Sequence, residues 1–322
     1  MRTPPRALRA YAPLDRLAER FDAAVERISG ARHHTLGHSV EGRAIPACAL
    51  GPTNAPALLL VAGIHGNELL GPHLAVAFAE ALADATPTTR LGPARLWIVP
   101  MANPDGYART WARDGRGPLA ALRTNARGVD LNRNFPIPTG GRRSPWPGAG
   151  TDRVGAATYR GRTPLSEPES RVLADLASSV RPVAALSLHS FMGTLLPAFS
   201  PHRADLRTYR SLARAFAGAQ PRHRYRMLAS RILDGFTGEF EDYLHHALGC
   251  FATCVESYPV LESLRRAPPP TTVGRRFLPD VPAPWIENDL PGIVAYFEAA
   301  LRAHRAGIRP RCLDAAARPP PA

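Results

Sequence analysis

No lysine occurs among these 322 residues, so all 40 positive side chains are arginine. The same bias shows in 34 prolines and abundant alanine, which marks it as compositional. The arginines are spread along the chain rather than clustered. The formal charge of +13 therefore describes a generic basic surface, and no nucleic-acid partner is expected. Cysteine is scarce. Four residues (Cys48, Cys250, Cys254 and Cys312) are too few for a disulfide scaffold, and Cys250 and Cys254 lack the spacing of a zinc ribbon. They read as small buried thiols in an apolar strand. No run of about 18 apolar residues exists, so no membrane-spanning helix is expected. Met1 to Glu26 contains arginines but no apolar signal core, which sets the expected location as the cytoplasm.

What is present is a chain with 45% apolar and 21% charged residues, enough to build a core and too apolar for disorder. Helical spacing places Leu14, Leu17, Ala18, Phe21, Ala24 and Val25 on one face. Short continuous apolar runs at 57–64, 94–101, 182–189 and 250–256 read as buried strands. Helices are expected at 69–83, 167–180, 238–248 and 288–304, and Asn103-Pro104-Asp105-Gly106 reads as a turn. Residues 114–155 are rich in Gly, Pro and Arg, the composition of a long irregular and functional segment. Alternating helices and buried strands predict an α/β fold, a three-layer α/β/α sandwich around a central mixed, mostly parallel sheet. Without a repeat or a clear linker, residues 1–305 read as a single domain and 306–322 as a disordered tail.

Sites in such sheets gather beyond the carboxyl ends of strands. His65, His189 and Glu256 each stand where a predicted buried strand ends. His65 and Glu68 form an HxxE pair at a strand-to-helix turn, where both can reach one metal ion. Catalytic zinc takes three protein ligands and keeps one open position, and His189 is the natural third ligand. The segment from Arg123 to Pro136 adds Asn132 and Arg133, bracketed by Leu131 and Phe135. A guanidinium grips a carboxylate through two charge-assisted bonds, so carboxylate or oxyanion recognition is the chemistry expected there.

Taken in order, HxxE, Asn103-Pro104-Asp105-Gly106-Tyr107, the run Arg123 to Pro136, Leu188-His189-Ser190 and the strand-ending Glu256 resemble the zinc carboxypeptidases of the carboxypeptidase A type. Residues 36–43 resemble that family's opening hairpin. Residues 159–169 resemble the segment ahead of the helix before the third ligand. The likeness spans roughly residues 35 to 300.

The resemblance implies a role for each residue. His65, Glu68 and His189 would bind one zinc ion, and Asp130 would hold the far nitrogen of His65. Arg123 would polarise the scissile carbonyl, with Arg127 the weaker rival. Asn132 and Arg133 would take the terminal carboxylate of a peptide. Glu256 would be general base, then general acid. The family's substrate-closing tyrosine is missing, because its positions hold Asp234 and Gly235; Tyr225 and Tyr243 are the nearest substitutes. No inhibitory segment precedes the hairpin here, so no zymogen is expected. Glu241 and Asp242 lie where relatives line the pocket for the last side chain, and they would favour a cationic or amphoteric terminal residue. Gly238-x-Phe240 and Cys250-x-x-Thr253 resemble cytoplasmic murein peptide amidases, which makes a muropeptide with a free carboxylate an expected substrate. The rival readings are an amidohydrolase of small N-acyl amino acids, resembling succinylglutamate desuccinylases, and a non-catalytic binding module.

Overall fold

In this computed structural model the described residues are 8–84, 91–146, 148–228, 235–266 and 273–314. Among these described residues, eight strands form one sheet. In chain order they are β1 (Arg32–His38), β2 (Ala44–Leu50), β3 (Ala57–Ala62), β4 (Arg95–Val99), β5 (Ala184–Ser190), β6 (Thr194–Pro197), β7 (Arg226–Met227) and β8 (Phe251–Ser257). Their spatial order is β1-β2-β4-β3-β5-β8-β6-β7. The four central strands β4, β3, β5 and β8 run parallel, while β2 and β6 flank them antiparallel. The mixed, mostly parallel sandwich expected from the sequence is the fold observed.

Helices cover both faces because the central strands are apolar on both. In β3, Leu58, Leu60 and Ala62 point into one core, and Leu59 and Val61 into the other. This is the alternation that strand geometry imposes, and each such buried leucine or valine contributes about 1.5–3 kcal/mol. The first core is closed by α1 (Leu14–Arg27), α2 (Leu70–Asp84), α6 (Arg203–Ala219) and α9 (Ala283–Arg305). The second is closed by α5 (Pro168–Val180) and α7 (Phe240–Leu248). Shorter helices are α3 (Pro104–Ala112), α4 (Leu119–Arg123) and α8 (Val260–Arg266).

Asn103-Pro104-Asp105-Gly106 is the start of a helix rather than a turn. The Asn103 side chain accepts from Gly106 N at 2.9 Å, and Pro104 occupies the first turn, where no N–H is needed. The turn composition was legible, but capping residues and turn residues are the same types. Helix α6, the short strands β6 and β7 at one side of the sheet, and α8 had no counterpart among the sequence expectations. The segment expected as a tail divides in two. Arg311 N donates to Asp205 and Leu313 N to Nδ1 of His246, which seats 306–314 against α6 and α7. Residues 315–322 lie outside the described residues. No helix among the described residues is long and apolar enough to cross a membrane.

Candidate metal centre

Strand β3 ends at the Gly63–Ile64 turn, and His65 and Glu68 follow in the connection to α2. His189 lies near the end of β5, and Glu256 stands directly beside it in β8. The Nδ1 atoms of His65 and His189 are 3.0 Å apart. Each also lies 2.9 Å from an oxygen of the Glu68 carboxylate. All three side chains are buried. The Nε2 of His65 meets Asp130 Oδ1 at 3.2 Å, the contact that directs its Nδ1 to the metal when an ion is bound. Two ring nitrogens and a carboxylate converging in a buried space suit a shared cation. Two imidazoles and a carboxylate fit the protein ligand set of a catalytic zinc ion.

The charges around this trio interlock. Arg123, at the end of α4, donates from Nε to Asp130 Oδ2 at 2.8 Å and approaches Glu68 Oε1 at 3.5 Å. Asp130 thus bridges Arg123 and His65. Burial alone would raise the Glu68 carboxyl, but His65 and His189 outweigh it and hold Glu68 well below the usual range. Burial is likewise outweighed at Asp130, by Arg123 and His65, so it too stays ionised. Glu256 behaves oppositely. Burial and the nearby charge of Glu68 push it up to about 7. A carboxyl poised there can accept and return a proton near neutrality.

Asn132 and Arg133 occupy a single 3₁₀ turn after Asp130. Asn132 Oδ1 accepts from Phe240 N at 2.8 Å and its Nδ2 points to Glu241 Oε2 at 3.4 Å, so it pins the start of α7. Arg133 pairs with Glu239 at 3.1 Å. Glu241 is buried, accepts from Ser187 Oγ, and joins the site. Asp242 does not: its carboxylate accepts from Phe199 N at 2.8 Å, and burial together with Glu239 raises its pKa. Successive residues on a helix diverge by roughly 100°, so only one of the pair can face the site. Arg127 is exposed and leans towards Glu167 at 3.7 Å, away from His65, Glu68 and His189.

Both tyrosines considered as substitutes are otherwise engaged. Tyr225 donates its hydroxyl to Asp289 at 3.2 Å, and Tyr243 shares a hydrogen bond with Ser178 at 3.2 Å. Asp234 lies outside the described residues. Ser187 and Cys254 border Glu241 and were not singled out from the sequence as site residues. Both stand two residues before a site residue in a strand, and that same-face spacing was the available signal.

The family model described as zinc carboxypeptidase matches residues 15–260. Carboxypeptidase Z of Mus musculus is 26% identical over 290 residues, 77% of this chain and 43% of that protein. The inactive metallocarboxypeptidase ECM14 of Ajellomyces dermatitidis is 30% identical over 247 residues, covering 69% of this chain and 40% of that protein. The chain thus spans less than half the length of these curated relatives. Among solved structures, bovine thrombin-activatable fibrinolysis inhibitor in complex with tick carboxypeptidase inhibitor superposes with a TM-score of 0.72 at 21% identity. That match covers 91% of this chain and 98% of that one. Carboxypeptidase A from Helicoverpa armigera gives 0.69 at 20% identity, covering 91% and 75%.

Proposed function

This chain belongs to the zinc carboxypeptidase family, and from that premise we propose that it is an active metallocarboxypeptidase cleaving the last amide bond of a peptide. The observation that carries the proposal is the buried convergence of His65, Glu68 and His189 beside a proton-accepting Glu256. One matched relative is named inactive, so catalysis is argued from this chain's own side chains. His65, Glu68 and His189 would hold the zinc ion, and the chemistry it would supply is Lewis acidity towards a water and a carbonyl. Glu256 takes a proton from the attacking water and returns it to the leaving amine. Arg123 presents its guanidinium to the oxygen on which negative charge develops. Asn132 and Arg133 receive the terminal carboxylate, with Arg133 exchanging Glu239 for the substrate.

Glu241 is the substrate-selecting acid in this proposal. Its buried carboxylate favours a terminal residue with a cationic or amphoteric side chain, lysine in a peptide or diaminopimelate in a cell-wall peptide. The test is a panel of zinc-loaded assays with peptides ending in Lys, diaminopimelate or Phe, and N-succinylglutamate as a further substrate. Cleavage is expected on the peptides, fastest at Lys or diaminopimelate, and lost with a chelator. Faster release of Phe would overturn the side-chain assignment, and cleavage of N-succinylglutamate alone would overturn the peptidase reading.

A further inference from the structure

The site described so far uses one ring nitrogen of His189. Its Nδ1 faces Glu68 and His65, whereas Nε2 is buried and has no hydrogen-bond partner. Around the same residue, ligand atoms of His189, Glu241 and Cys254 all lie within 4.8 Å of one another. These three come from β5, α7 and β8, and each is at least nine-tenths buried. A nitrogen, an oxygen and a sulfur donor on three rigid elements are the mixed set that zinc-class ions favour. Burial raises the Cys254 thiol, and Glu256, Glu241, Glu239 and Glu68 add to it, so without a cation this sulfur stays protonated amid acidic groups.

We propose that His189, Glu241 and Cys254 form a second site for a zinc-class divalent cation, with the imidazole of His189 shared between the two ions. Binding displaces the Nε2 proton of His189 and the thiol proton of Cys254 to solvent, while Glu241 binds as a carboxylate. One dication thus replaces two protons. An ion there engages Glu241, the group assigned above to a cationic terminal side chain, so excess zinc should compete with such substrates. That consequence rests on the peptidase reading; the binding itself does not.

The experiment is titration of metal-free full-length chain with Co²⁺ and with Cd²⁺, reading stoichiometry by equilibrium dialysis and thiolate-to-metal charge transfer by near-ultraviolet absorption. Two ions per chain are expected, the later one bringing the charge-transfer band. Cys254→Ser should lose that ion and the band but keep the other, and Cys312→Ser should change neither. Glu241→Gln, which leaves the thiol in place, should weaken the later ion at least 10-fold and provides a check if Cys254→Ser fails to fold. A single bound ion with no thiolate band overturns this proposal alone. So does a later ion that survives Cys254→Ser. A chain that binds no ion overturns both this site and the proposed activity.

Discussion

Glu256 and His189 face one another across two parallel strands, an adjacency that, in the proposed function, separates proton handling from metal holding. Glu256 is absent from the set of side chains that converges on one point, which consists of His65, Glu68 and His189. Replacing its carboxylate by an amide of the same shape should therefore remove the proton acceptor and spare the ligands. In Glu256→Gln, turnover is expected to fall about 10²- to 10⁴-fold while bound metal, counted by mass spectrometry, stays at the wild-type level. Retention of most activity would remove Glu256 from its role. Loss of the metal would show that it holds the site rather than working in it. At the same scale, half of the recognised motif proves to be scaffolding. Asp105 accepts from Ser39 Oγ at 2.7 Å and from Glu41 N at 2.9 Å, tying the β1–β2 hairpin loop to α3. The Asn134 side chain binds the backbone of Arg160, Thr163 and Glu167, ordering the segment ahead of α5.

Elements bring the ligands together by approaching more closely than side chains would permit. The turn carrying His65 and Glu68 lies against the first turn of α3, and a Cβ on Gly66 would meet the Gly106 backbone at 2.4 Å. Neither backbone can rotate aside as a side chain could. Likewise, a Cβ on Gly71 in α2 would meet the Leu188 carbonyl at 2.6 Å, one residue before His189. Gly66→Ala should thus cost about 1–3 kcal/mol, the range for overpacking a filled space, and displace His65 from its partners. Thermal denaturation and metal affinity are expected to fall together. A variant that melts with the wild type and binds metal equally would mean that the two turns separate without consequence.

For the molecule as a whole, acid sensitivity is expected from histidines buried away from His65, Glu68 and His189. Burial lowers His246, on α7, to about 4; it bonds Phe199 O through Nε2 and accepts from Leu313 N at Nδ1. Burial also lowers His73, on α2, to about 3. An unfolded chain protonates such rings near 6.5. Between about 6.5 and 4 it therefore binds protons that the folded state refuses, and stability from these groups falls with pH. Other ionisable groups largely cancel when wild type is compared with His246→Gln. Relative to wild type, that variant should gain stability as pH drops from about 6.5 to about 4, as read by urea denaturation at several pH values. A constant difference across that window would show that His246 is not held neutral.

Chemistry and elements were legible in the chain to different depths. Apolar runs ending in His65, His189 and Glu256 identify central strands and their functional ends, because a strand buried on both faces needs uninterrupted apolar residues. Strands β6 and β7, at one side of the sheet, are short and carry no such run, and α6 escaped because no residue on it suggested chemistry. The residue types of the site were therefore set in sequence, whereas their assignment was decided by packing. Only the tertiary structure turned Glu241 inward and Asp242 towards Phe199, paired Arg133 with Glu239, and brought Cys254 beside His189. The physical reason is that a helix start or strand end specifies which groups are available. Which of them share a buried space depends on how separate elements are rotated against one another, and that is determined by the two cores.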